Sequence, residues 1–243
     1  YAANPTDSVL AAQYPWGWET VGHDDRDWLP AQAVLFRNPT TERGNGHGWI
    51  MQPRTTARQT NRQEAFARVA RSDLEGIGED FRFGQQPLVI PPYTRRSLLI
   101  DQGYVTLGYP KMTLSGGEGS QVTVTYAEAL YDDQTQKGNR NQLAGKHIRG
   151  IRDVYRMDGG QGRTFQPLWF RTFRFIRLEF ETGAEALQLD DYHNVSSAAD
   201  FPVKANFSVP HPRYQAVWDL CWHALKLCAQ DNLLSDAYYE QMQ

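Results

Sequence analysis

Apolar and polar positions change their period twice along this chain. Between residues 87 and 182 the period is two. Leu88 and Ile90, then Leu98 and Ile100, predict two strands around the turn-forming pair Pro91-Pro92. Val105, Leu107 and Tyr109 alternate, as do Met112 and Leu114, which run into a turn at Ser115-Gly116-Gly117-Glu118-Gly119. Val122, Val124 and Tyr126 follow, and Val154, Tyr155 and Met157 lead to another turn at Asp158-Gly159-Gly160. The strongest segment runs from Phe165 to Thr182. There Phe173 and Phe175 share one phase, while Ile176, Leu178 and Phe180 share the other. A slip of one residue predicts a β-bulge or a strand buried on both faces. Short strands divided by glycine turns predict a mainly β chain, an antiparallel β-sandwich of jelly-roll type.

The flanks read differently. Residues 1–86 form an irregular or β leader, which could be the end of a preceding sandwich. Within it, Asn61 to Leu74 carries weak helical spacing through Ala65, Phe66, Val69 and Ala70, and predicts a crossing segment with no core of its own. After residue 200, Pro210 and Pro212 punctuate the chain. Val217, Trp218, Cys221, Trp222, Leu225 and Cys228 then recur at three- and four-residue steps, with Asp219, His223, Lys226 and Gln230 opposite. That is an amphipathic helix, and one helix cannot bury such a face alone. Either it docks on the sandwich or it opens an all-α domain. The expected division is 1–86, 87–200 and 201–243.

Composition narrows the classes. The chain has 243 residues, and at roughly 150 residues per domain that is about one and a half domains. The 25 basic residues against 28 acidic ones give −3, and the pI is near 6.1, which argues against a nucleic-acid partner. Mean hydropathy is −0.61, and no apolar run has the length of a membrane span. The first residues lack a signal-peptide pattern. Cys221 and Cys228, seven residues apart on a helix, would lie about 10.5 Å apart, too far for a disulfide, and read as buried and inert. Neither zinc-ligand spacing nor a phosphate loop is present, so no metal and no cofactor is expected. The three aspartates around Arg26 read as a solvated turn. Aromatic residues reach 12%, with 7 Trp and 12 Tyr. Most should pack the core, Trp169 and Trp222 included, although flat rings also suit the C–H faces of a pyranose.

Chemistry concentrates at the end of the chain. Asp236 and Glu240 lie close together with Tyr238 and Tyr239 between them, just after the amphipathic helix. Carboxylates flanked by aromatics suit glycoside hydrolysis, where an apolar wall keeps one carboxyl protonated and rings hold the sugar. Elsewhere, Glu128 reads as a strand residue paired with an arginine such as Arg140 or Arg174, and His147 as a loop residue.

Several stretches together resemble the α-L-rhamnosidases of glycoside hydrolase family 78, especially the branch common in Bacteroidetes-type bacteria. They are Asp101-Gln102-Gly103-Tyr104, Thr113-Leu114-Ser115-Gly116-Gly117, Thr125-Tyr126-Ala127-Glu128-Ala129-Leu130-Tyr131 and Lys137-Gly138-Asn139-Arg140-Asn141. Further on come Gly145-Lys146-His147-Ile148, Phe165-Gln166-Pro167-Leu168-Trp169, Arg171-Thr172-Phe173-Arg174-Phe175 and Tyr238-Tyr239-Glu240-Gln241. The resemblance implies that 87–200 is the sandwich preceding the catalytic module, and that 210–243 enters an (α/α)6 barrel. It implies that Glu240 is the general acid, and that Asp236 and Tyr239 bind substrate. The family's usual aspartate five residues before the acid is Ser235 here. It further implies an inverting reaction that releases terminal α-L-rhamnose from glycans, with a carbohydrate substrate and the remaining barrel as partners, and a periplasmic or secreted bacterial location. The general base and later helices lie outside these residues, so the 243-residue chain alone is expected to be inactive. The alternative is a non-catalytic carbohydrate-binding or structural β-sandwich.

Overall fold

The computed structural model describes residues 5–32 and 53–241. The expected leader is described only in part, since 1–4 and 33–52 lie outside the described residues, as do 242–243. Among the described residues, twelve strands and one α-helix follow in chain order, with a short 3-10 turn at Ala11–Gln13: β1 Ser8–Leu10, β2 Gln59–Glu64, β3 Arg68–Ser72, β4 Leu88–Ile90, β5 Arg95–Gly116, β6 Gln121–Ala127, β7 Leu130–Tyr131, β8 His147–Ile148, β9 Ile151–Arg156, β10 Arg163–Phe165, β11 Arg171–Glu181, β12 Leu187–Ala199 and α1 Pro212–Cys228. The chain is mainly β, as its period-two pattern predicts.

One curled ten-stranded sheet carries the fold. Its order is β1-β9-β6-β11-β5-β12-β2, with β3 and β10 also on β5 and β4 on β12. All pairings are antiparallel except β1 with β9, so the sheet is mixed and not purely antiparallel. β5 is 22 residues long, where the alternation suggests several short strands. It serves both layers. Its first half pairs with β3 and β11, and its second half with β10 and β12. Register slips mark the curl, between Phe173 and Phe175, between Val69 and Arg71, and between Leu189 and Asp191. The first is the expected bulge. It lets Phe173 fill the main core with Ile176, Leu178 and Phe180, while Phe175 packs with Leu99 and Leu130. Where β5 meets β12, only glycine fits at 108, because a Cβ there would sit 2.4 Å from the Val195 carbonyl oxygen.

Two expectations need correction. Residues 61–74 are not helical. Gln59–Glu64 holds no apolar residue, yet it pairs with β12 from Glu64↔Asn194 to Gln59↔Ala199. Ladder pairing overrides a weak local preference, and Phe66, Val69 and Leu74 join the main core. The helix is present with Pro212 in its first turn, but none of its residues is buried. Val217 and Leu225 are exposed, and so is Cys221, which with Cys228 is a free thiol. Docking is confined to one edge of the helix, where Leu227 and Cys228 pack toward Leu107 and Phe170 and polar residues expected to face solvent also reach the sheet. His223 Nε2 lies 2.7 Å from the Val105 carbonyl oxygen, and Gln230 bonds to the Ser197 carbonyl and to Gln59.

Buried charge is matched. Arg171 reaches Asp153 and Asp7, and all three lock β1, β9 and β11 together; the side chains of Arg171 and Asp153 are fully buried. Asp101 holds Arg68 and Arg174 and accepts from the Gly103 N–H.

Candidate functional site

After α1 the chain turns back onto the sandwich. An isolated bridge joins Ala229 and Leu233, and the Ala199 N–H donates to the Ala229 carbonyl at 2.9 Å. Leu234 and Ala237 then pack on Leu107 and Phe170 in a small core of their own. Polar contacts fasten the turn over residues 236–241. Thr172 Oγ1 donates to the Ala237 carbonyl at 2.6 Å, Tyr238 Oη to the Tyr126 carbonyl at 3.3 Å, and Trp169 Nε1 to Gln241 Oε1 at 2.5 Å. Gly150 makes room there, since a Cβ would lie 1.7 Å from the Tyr126 carbonyl oxygen and 3.2 Å from the Tyr238 hydroxyl.

This turn carries all three candidate residues, and it gives them different situations. Asp236 is half-buried. Its carboxylate accepts from the Tyr238 N–H at 2.9 Å and the Tyr239 N–H at 2.5 Å, so it shapes the turn. Tyr239 is half-buried, perpendicular to Tyr238, with its hydroxyl 3.3 Å from that of Tyr131. Glu240 is exposed and makes no ion pair among the described residues.

The sandwich supplies the wall beside this turn. Lys137 sits 5.8 Å from the Tyr131 ring centre and 5.6 Å from that of Tyr239. Its ammonium donates to Glu128, and that bond holds the lysine above its ordinary pKa. Arg140 approaches the same carboxylate at 3.8 Å. Glu128 is therefore paired, but with Lys137 first and the expected Arg140 only second, whereas Arg174 is engaged by Asp101. The Lys146 ammonium caps the loop from the carbonyls of Lys137 and Asn139, at 2.6 Å each. His147 lies in the open, 3.4 Å from Asp133. Burial raises the Cys228 thiol, and Asp236 raises it further.

Lys137 and Tyr131 stand out in the sequence only as parts of longer motifs. Nothing in their local pattern places them against a residue more than 100 positions later. Trp169, expected in the core, is 43% exposed and stacks on Phe170, and Trp222 is only half-buried. The turn at Asp24 is exposed and closed by its own Arg26, and among the described residues no cluster of His, Cys, Asp and Glu could hold a metal ion. No helix among the described residues is long and apolar enough to cross a membrane.

Residues 93–195 match the family model of the bacterial α-L-rhamnosidase concanavalin-like domain. No curated protein sequence matches the chain. Among solved structures, the chain resembles a family 78 rhamnosidase of Bacillus sp. GL1 at 20% identity and a TM-score of 0.52, over 64% of this chain and 16% of that one. It resembles a Klebsiella oxytoca rhamnosidase with rhamnose bound at 13% identity and a TM-score of 0.56, over 75% and 38%. It resembles an Aspergillus terreus α-L-rhamnosidase at 12% identity and a TM-score of 0.56, over 96% and 24%. The chain thus spans well under half the length of each, and at these identities the likeness is one of fold. Over residues 93–195, then, the chain is similar to the concanavalin-like domain of bacterial α-L-rhamnosidases, and that segment is a β-sandwich.

Proposed function

We propose that the chain is part of an inverting glycoside hydrolase that releases terminal α-L-rhamnose, with Glu240 as general acid and Tyr239 and Asp236 shaping the sugar site. One observation carries the reading. The turn that carries Glu240 is bolted to the rhamnosidase-like sandwich by Thr172, Tyr126, Tyr131 and Trp169, which hold the backbone on either side of that residue. Inversion needs a second carboxylate about 6.5–9.5 Å from the acid, with a water between base and sugar. Glu128 is committed to Lys137 and Arg140, and Asp236 to backbone N–H groups. In this reading the base comes from a helical module, of which 201–243 is the linker and first helix, and the exposed side of α1 is covered by its further helices. The sugar site would then lie between the modules, as in a protein that meets glycans in the periplasm or outside the cell.

Glu240 would protonate the glycosidic oxygen as the bond breaks. The base would take a proton from water attacking the opposite face. The test compares the 243-residue chain with the same polypeptide extended through the helical module, on an aryl α-L-rhamnoside. The short chain should show no turnover. Glu240→Gln in the long one should lower kcat about 10²–10⁴-fold with KM little changed. Turnover by the short chain, or full activity of the variant, would overturn the assignment.

A further inference from the structure

A cleft of about 680 Å³ opens between the β5-β12-β2 edge of the sheet and α1. Neither Tyr239 nor Glu240 lines it. Glu64 on β2 stands on its floor with its carboxylate already fixed. Tyr104 Oη donates to one oxygen, and Thr106 Oγ1 and Asn194 Nδ2 donate to the other at 3.0 and 2.8 Å. Tyr104 itself is 46% exposed, and it meets His223 of α1 edge to face at 5.6 Å. His223 Nε2 lies 2.7 Å from a carbonyl oxygen, which can only accept, so that nitrogen carries the proton. In the neutral ring Nδ1 is then an acceptor. Arg62 and Lys226 line the same cleft, and their charged groups have no ion pair or hydrogen bond among the described residues. Trp222 adds a half-buried indole.

These groups together ask for a particular ligand. A bare anion would meet the Glu64 carboxylate. An apolar molecule would cut Arg62 and Lys226 off from water without replacing it. A polyol satisfies all of them, because each hydroxyl both donates and accepts, and the C–H face of a ring suits an indole. The cleft is also pre-formed: Glu64 is held by its three donors and has little ordering entropy left to lose on binding. We propose that this cleft is a binding site for a neutral saccharide, with hydroxyls shared between Glu64 and His223 as acceptors and Arg62 and Lys226 as donors, and a sugar face on Trp222.

The proposal does not rest on the hydrolase reading, and each can fail without the other. The test titrates the 243-residue chain with L-rhamnose, D-galactose and maltotriose, and separately with sodium phosphate, following indole fluorescence and calorimetric heat. Saturable binding of at least one of the sugars is expected. Trp222→Ala and Arg62→Ala should each weaken it about tenfold or more, while Trp28→Ala leaves it unchanged. Arg62 is exposed, so its variant keeps the test valid should Trp222→Ala unfold. No saturable sugar binding, sugar binding that neither variant alters, or saturation by phosphate alone would each overturn the proposal.

Discussion

The β11 strand and helix α1 have equally legible patterns and opposite fates. On β11, Phe173, Ile176, Leu178 and Phe180 are at most 1% exposed, and the one buried arginine faces two carboxylates. On α1, Leu220 is 68% exposed and no residue is buried, while His223 bonds to the sheet and only Leu227 and Cys228 at its last turn join an apolar cluster there. An apolar period says that a face needs a partner. It does not say that the partner lies within the same residues. β11 finds its partners in β5 and β6, whereas the helix touches the sheet along one edge and leaves Val217, Leu220 and Leu225 open.

The largest expected effect is at the closed end of that contrast. Arg171→Ala would leave Asp153 and Asp7 facing each other without the cation between them. Breaking a buried pair by removing one partner costs about 3–5 kcal/mol. The loss should appear as a lower urea midpoint with the β1 segment released, and an unchanged midpoint would mean that the cluster carries no stability.

The two carboxylate clusters should also separate by pH. Burial opposes ionisation of Asp101, but Arg174, the Gly103 N–H and Arg68 outweigh it, and its folded pKa is depressed. It therefore stabilises the fold above its unfolded pKa of about 3.9, and that support is lost as pH falls through the folded value. Asp7 has the opposite sign. Burial, then Asp153, raise it against the pull of Arg171. The folded state keeps this proton longer than the unfolded chain, so stability falls as pH rises from about 3.9 through the raised value. Asp101→Asn should flatten the acid side of the stability profile, and Asp7→Asn should steepen it. The slope of the urea midpoint between about pH 3 and 7 checks both, and slopes that move the same way would contradict the assignment.

Legibility in the sequence obeys the same physics. The sandwich announces itself because half of every core strand is apolar, and the slip at Phe173 and Phe175 is written in one segment. β2 is invisible because its stability comes from pairing with β12 and from Glu64 meeting Tyr104, Thr106 and Asn194 across the sheet. None of that has a period. At the C-terminal turn, Asp236, Tyr239 and Glu240 stand out as residue types, but local sequence does not distinguish the carboxylate that folds the turn from the one left exposed. Neither does it show that Lys137 and Tyr131 will stand beside Tyr239.

The smallest effect is the most discriminating one for α1. In the 243-residue chain Leu220 is already mostly in water, so Leu220→Ser removes little buried surface. Surface changes of this kind stay within about 0.5 kcal/mol. If further helices cover this side in a longer polypeptide, the same leucine becomes a core residue there, and truncating it should cost about 2–5 kcal/mol. The two urea midpoints, measured in parallel, read that difference directly. A large loss in the short chain would mean that α1 already has its apolar partner within the chain, and the contrast with β11 would disappear. An equally small loss in both would leave α1 outside any helical core, and with it the proposal that residues 201–243 lead into one.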